Sequence, residues 1–269
     1  MPSTDQTDAA TIAARIVRGL IDPAREARVS DVRIGLGYTA VMLADGRTGV
    51  AYTFRDQARG GCSVFNGSLP LSGSPAVDLL RLLESPDAIE AGVGLACANA
   101  LANWNEAGLV DGDVLKRVEV RPDDDVAMVG HFGPLVEELR ARARSLTIFE
   151  RVVEPSGMLR PQAEAKAVLH RCQVALITAT SIINHTVDHL LESARPCREV
   201  VLLGASTPLM AAAFRGTKVT WLSGVVVEKP WEVLRVVSEG GGMRQFGPHV
   251  RKVALRVSTL EPDSVRSNS

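Results

Sequence analysis

Apolar residues recur at two different periods along this chain, and the switches between them mark out its elements. In ATIAARIVRGLI, Ile12, Ile16 and Leu20 fall on one stripe at helical spacing, which predicts an amphipathic helix. Residues 29–54, VSDVRIGLGYTAVMLADGRTGVAYTF, alternate apolar and polar positions around ADGRTG, where Asp45-Gly46 favours a hairpin turn. The segment therefore predicts an antiparallel meander. Ser74-Pro75 and Ser85-Pro86 each read as a helix start. The helix after the second, DAIEAGVGLACANALANW, is apolar nearly all round and rich in Gly and Ala, so it is expected to be buried with close neighbours.

The pattern changes at RVEVRPDDDVAMVG, where Pro122 and three aspartates precede a strongly apolar strand, and a domain boundary is expected near residue 120. Beyond it strands and helices alternate. VAMVG is followed by a helix over 134–144, LTIFE by a short helix near 161–170, and VALITAT by a helix over 184–193. EVVLLGAS then leads to a helix around 208–214, KVTWLSGVVV to a helix over 230–238, and KVALRV closes the series. Such alternation implies an α/β fold with a parallel sheet, in which ligands gather beyond the carboxyl ends of the strands where the strand order reverses. The expected division is 1–120, 121–260 and a polar, disordered tail over 261–269.

Composition narrows the function classes. With 46% hydrophobic residues and 30 basic against 31 acidic side chains, net charge -1, the chain has no polyanion-binding character. It also lacks a basic stripe interleaved with aromatics, so no nucleic-acid partner is expected. No signal-peptide pattern or bilayer-length apolar run is present, so no membrane partner is expected and the cytoplasm is the expected location. Cys62, Cys97, Cys172 and Cys197 are scattered without CxxC spacing, against a zinc ribbon or disulfide framework; they read as small, reduced, buried side chains.

Three strand ends carry candidate chemistry. In VGHFGP, Gly130 and Gly133 follow a strand, Phe132 lies between them, and Pro134 suits a first helical turn whose free N–H groups can face an anion or carboxylate. Glu150 ends the next strand, where Rossmann units place an acid for ribose hydroxyls. NAD sites use G-x-G-x-x-G, whereas here His131 and Phe132 stand where pyrophosphate needs close approach. NAD is therefore disfavoured relative to an S-adenosylmethionine-like or pterin-like ligand. The alternative is a purely structural turn. LITATSIINHT places Thr178, Thr180 and Ser181 at a strand end, with Asn184 and Thr186 opening a helix; Ser181 or Asn184 serving only as a cap is the alternative. LLGASTPLM repeats the theme with Gly204, Ser206 and Thr207. His185 and His189 are four apart around Asp188, but HExxH is absent, and a solvated helix face explains them as well; no metal ligands are assigned.

Taken together, VRIGLGYTAVMLADGRTGVAYT, GLACANALANW, MVGHFGPLV, FER, LITATSIINHTVDHLL, LLGASTPL, LSGVVV and SEGGGM resemble the putative heavy-metal chelation domain family. The resemblance implies an α+β enolase N-terminal-like domain followed by a Rossmann-like domain, with a site in the cleft between them. GAST and ATSIIN depart from the family's usual loops. The implied function is a small-molecule enzyme or binder in the metabolism of siderophore-, pterin- or flavin-like chelators, acting by condensation or hydrolysis if it is an enzyme. Its partner is then a small-molecule ligand or metal chelate, and a homodimer is compatible with the chain. Tyr38, Thr39 and Asn99 are expected to close over the ligand, with Tyr38 or Glu150 as the proton-transfer group. A second reading is a non-catalytic sensor of a metal-chelate complex using His185 and His189. SEGGGMRQFG is expected to form a mobile loop at the site, with Glu239, Gly240 and Gly241 against the ligand and Arg244 meeting an anion; a glycine-terminated helix is the alternative.

Overall fold

The computed structural model describes residues 10–58, 65, 69–104, 107–152 and 154–257. The expected disordered tail over 261–269 and Cys62 lie outside them. In chain order the elements are α1 (Ile12–Glu26), β1 (Val29–Ile34), β2 (Tyr38–Leu43), β3 (Thr48–Tyr52), α2 (Ala76–Arg81), α3 (Ala88–Ala102), β4 (Val110–Asp111), β5 (Asp125–Val129) and α4 (Gly133–Arg142). There follow β6 (Ser145–Glu150), β7 (Leu159–Pro161), α5 (Ala165–Leu169), β8 (Val174–Thr178), α6 (Thr180–Ile183), α7 (Val187–Ser193), β9 (Glu199–Leu203), β10 (Trp221–Val227), α8 (Pro230–Ser238), α9 (Met243–Phe246) and β11 (Val250–Arg256).

Strands β1 to β3 form the expected antiparallel meander, and period-2 alternation gives it two buried faces. Val41, Leu43 and Ala51 face the core shared with α1, α2 and α3, whereas Ala40, Met42 and Val50 meet Val233, Leu234 and Val237 of α8. A helix from the second half of the chain thus covers the first half's sheet. Ile12, Ile16 and Leu20 are buried as their spacing requires. Asp87, rather than Ser85, caps α3, its carboxylate accepting the N–H groups of Ile89 (2.9 Å) and Glu90 (3.2 Å). Ser85 stands two residues earlier and donates to the Glu90 carboxylate at 2.6 Å. Twelve of the fifteen residues of α3 are buried, so it has no solvent face to make it amphipathic. Close packing uses missing side chains: a Cβ at Gly94 would overlap the backbone nitrogen of Leu83, and one at Gly49 that of Ala100.

The second sheet has the order β4-β11-β10-β9-β8-β5-β6-β7. From β10 to β7 it is parallel, but β11 runs antiparallel to β10 and β4 to β11, so the final strand departs from the expected parallel series. Two helix expectations also change. The 184–193 segment is not one helix: α6 stops at Ile183, His185 takes φ 56°, and α7 starts at Val187. The segment near 208–214 forms only a short 3-10 turn over Ala211–Phe214. The chain moves outward from β5 through β6 to β7, then returns to place β8 on the other side of β5. The strand order therefore reverses between β5 and β8, the position where a parallel sheet leaves a crevice at its carboxyl edge.

Candidate functional site

The crevice is present, and side chains from both sheets line it. Above β5, β6 and β8 lies a cavity of about 240 Å³ bounded by Gly130, Phe132, Glu150, Thr178, Thr180 and Asn184, with Tyr52 and Phe54 from the meander opposite. A second cavity of about 450 Å³ lies over the end of β9 and the middle of β10, against Tyr38, Pro134, Gly204, Ser223 and Met243. Both border His131 and Phe132. The Phe132 ring spans the gap: one edge lies over Gly130 (φ 89°) and the other over Gly204 (φ 117°), so it crosses the end of β8 between them. A Cβ at either glycine would stand in ordinary contact with that ring. Both glycines are called for by their left-handed φ, and at Gly130 a Cβ would also crowd Thr178 Cβ at 2.9 Å.

Three of the four N–H donors from Gly130 to Gly133 are already occupied. Gly130 N–H donates to Phe149 O (2.8 Å), His131 N–H to Glu150 Oε2 (2.9 Å) and Phe132 N–H to Met128 Sδ (3.5 Å); Pro134 has none. Glu150 Oε1 also accepts from Arg151 N–H at 2.8 Å. The turn does face a carboxylate, and that carboxylate is the protein's own Glu150. Each oxygen thus accepts one backbone N–H, which fixes the carboxylate while Glu150 still borders the smaller cavity. Besides Glu150, the polar side chains lining the smaller cavity are His131, Arg151, Gln162, Asn184, and Thr178 and Thr180, whose hydroxyls are 3.0 Å apart. Asn184 Oδ1 accepts from the Thr186 N–H and hydroxyl (3.3 and 2.8 Å), so Thr186 orients Asn184 and is not itself among the residues lining this cavity. Ser181 is buried and donates to Thr178 O at 2.6 Å.

Several expected ligand contacts are structural instead. Thr39 is buried and shares a 2.9 Å hydrogen bond with Thr53. Asn99 is buried in α3, where its amide donates to Val50 O (2.8 Å) and Ser206 O (3.1 Å); Ser206 Oγ accepts from Tyr52 N–H (2.8 Å). One turn on, Asn103 donates to Thr207 O (2.8 Å) and accepts from Leu209 N–H (2.7 Å). Asn99, Ser206 and Thr207 therefore fasten the loop after β9 to α3 and β3. The sequence showed an amide in an apolar helix, but its partner 107 residues away only the fold supplies. Tyr38 does reach the larger cavity, edge-on to Tyr52 and to Phe246. Burial pushes its hydroxyl up to about 12, so it stays protonated at neutral pH. Tyr52, its cross-strand partner, and Phe54 were not singled out in the sequence; the alternation of the meander carried that signal.

The glycine run also changes role. Gly240 has φ 76°, its N–H donates to Val237 O (3.1 Å), and Gly241 N–H donates to Val236 O (2.9 Å), which closes α8 in a left-handed cap. Glu239 is exposed and pairs with Arg235 at 3.1 Å. Met243, not Glu239, Gly240 or Gly241, is the residue of this segment that lines the larger cavity. Gly240→Ala is expected to cost about 1–2 kcal/mol in urea unfolding, the usual penalty for an L-residue in this conformation, with ligand affinity unchanged. Altered affinity at wild-type stability would return the segment to the site.

The two halves of this groove come from segments matched by two family models, residues 17–102 and 113–256, both described as putative heavy-metal chelation. The chain belongs to this family. A family protein of unknown function from Pyrococcus horikoshii has a similar solved structure, with TM-score 0.81, 21% identity, and coverage of 92% of this chain and 100% of that one. Another from Desulfitobacterium hafniense gives TM-score 0.75 and 25% identity over 91% and 98%. An uncharacterized protein of Methanocaldococcus jannaschii is 23% identical over 226 residues, 80% of this chain and 85% of its own. Among the described residues no three His, Cys, Asp or Glu side chains are grouped to hold a metal ion, and no helix is long and apolar enough to cross a membrane. His185 and His189 do not share a helix face: His185 lies in the break before α7 and its Nε2 is 2.8 Å from Ser85 O.

Proposed function

We propose that this member of the chelation family binds an organic chelator, or its metal complex, in the groove divided by Phe132. The turn carries the reading: with Phe149 O on the Gly130 N–H, Glu150 on the His131 N–H and the Phe132 ring dividing the groove, a pyrophosphate finds few of the free backbone donors that a dinucleotide turn offers. Hydroxyls and an amide on one side of the ring and a more apolar chamber on the other suit a heterocycle with a hydrogen-bonding edge, as in a pterin. Each chamber is of the order found for small-ligand sites.

Titration calorimetry with 6-hydroxymethylpterin, S-adenosylmethionine and NAD tests the proposal. One of the first two is expected to bind and NAD is not. Thr178→Val, which removes one hydroxyl from the smaller cavity, should weaken binding about tenfold, the equivalent of one hydrogen bond of about 1.4 kcal/mol. Tight NAD binding, or unchanged affinity in Thr178→Val, would overturn it.

A further inference from the structure

At the opposite, amino-terminal end of the second sheet the fold brings together two thiols that are 25 positions apart in the chain. Cys172 stands two residues before β8 and Cys197 two residues before β9, and these strands pair in parallel with Val174 opposite Glu199. The register continues outward, since Gln173 O accepts the N–H groups of Arg198 (2.8 Å) and Glu199 (3.2 Å). Neighbouring strands are about 4.8 Å apart, which leaves the two cysteines side by side. Their sulfurs also turn toward one place. Cys172 Sγ donates to Val168 O (3.3 Å) and Cys197 Sγ to Leu169 O (3.5 Å), successive carbonyls at the end of α5. Burial, reinforced by the neighbouring Cys172, pushes Cys197 up to about 12, and burial with nearby Asp125 pushes Cys172 up to about 11.

We propose that Cys172 and Cys197 form a two-coordinate site for a soft d10 cation, best matched by Hg(II). Thiolates select soft metals, and two of them complete a linear site, whereas zinc wants four ligands. Among the described residues no third and fourth His, Cys, Asp or Glu joins them in a metal-holding group. Charge selects further. Two S–H bonds break, two S–Hg bonds form and two protons leave to solvent, so the bis-thiolate complex is neutral and no net charge is buried. No electron changes hands. Both sulfurs lie just beneath the surface, with exposed Arg171 and Pro196 adjacent to them in the chain, so opening of the two turns before β8 and β9 gives access. This site is separate from the groove at the carboxyl edge and does not depend on what binds there.

The test uses the full chain and a Cys62→Ala/Cys97→Ala variant, each given one equivalent of mercuric chloride, then desalted against excess glutathione and weighed by native mass spectrometry. Both should retain one Hg per chain with release of two protons and a raised thermal midpoint. Adding Cys172→Ala or Cys197→Ala should weaken retention at least a hundredfold, and zinc should not be retained by any form. The proposal fails if the double variant loses the metal, if either single replacement keeps it, if more than one Hg binds in the double variant, or if binding lowers the thermal midpoint. Recovery of the pair as a disulfide in freshly prepared protein would equally overturn it, marking a redox couple instead.

Discussion

Gly49→Ala is expected to lower the unfolding free energy by about 3 kcal/mol, the upper end of the cost of overpacking a filled core. The new methyl would overlap Ala100 N and Ala96 O, which are backbone atoms of α3 and cannot swing aside as a side chain would. The helix itself is held on its other sides by α1 and α2, so relief requires moving β3 or the whole layer. Gly92→Ala is the control on the same helix. Its added Cβ meets nothing nearer than Tyr52 O at 3.4 Å, so it should keep or gain stability, up to the roughly 1 kcal/mol by which alanine exceeds glycine in helix propensity. Urea unfolding midpoints decide it, and equal losses at both positions would show that close approach is not the cause.

The second large effect concerns Asp124, whose side chain is only 2% exposed at the entry to β5. Its oxygens accept from Arg198 Nη1 (3.1 Å) and Nη2 (2.7 Å) and from the Arg121 N–H (2.7 Å). Asp124→Ala leaves the guanidinium without its buried partner and should cost about 3 kcal/mol at neutral pH. Burial works to raise the Asp124 carboxyl, but Arg198 and the Arg121 N–H outweigh it and hold the group below its usual range. A carboxyl depressed in the folded state contributes fully above its unfolded value, near ~4, and loses that contribution as the pH falls through the folded one. The gap between wild type and Asp124→Ala in urea midpoint should therefore narrow on acidification. A gap that persists at low pH would mean that lost packing, not charge, sets the cost.

Periodicity made the meander, α1 and the buried character of α3 legible, because each depends on neighbours a few residues away. The direction of β11 was not legible: an apolar run reads the same whether its partner is parallel or antiparallel. His185 breaks the expected long helix through one left-handed residue, which composition does not announce. The glycines at 130 and 204 were recognisable as special, yet that both hold a left-handed φ and border the Phe132 ring only the fold shows. Glu150 stood at the expected strand end, but the parallel register of β5 with β6 brings it to the turn's own N–H groups. Asn99 likewise stood out as an amide among apolar residues, and its role followed only from the distant carbonyls it meets.

Those bonds of Asn99 and Asn103 to the loop after β9 have a mechanical meaning as well. They cross the joint at which the two sheets would otherwise swing apart, beside a continuous apolar core that contains residues of both. A vessel riveted along its seam does not clamp down on its contents. A ligand of the proposed groove would meet a slot whose width is set before arrival, with the ordering entropy already spent in folding and shape, rather than closure, doing the selecting. Scattering profiles with and without a bound molecule should then superimpose.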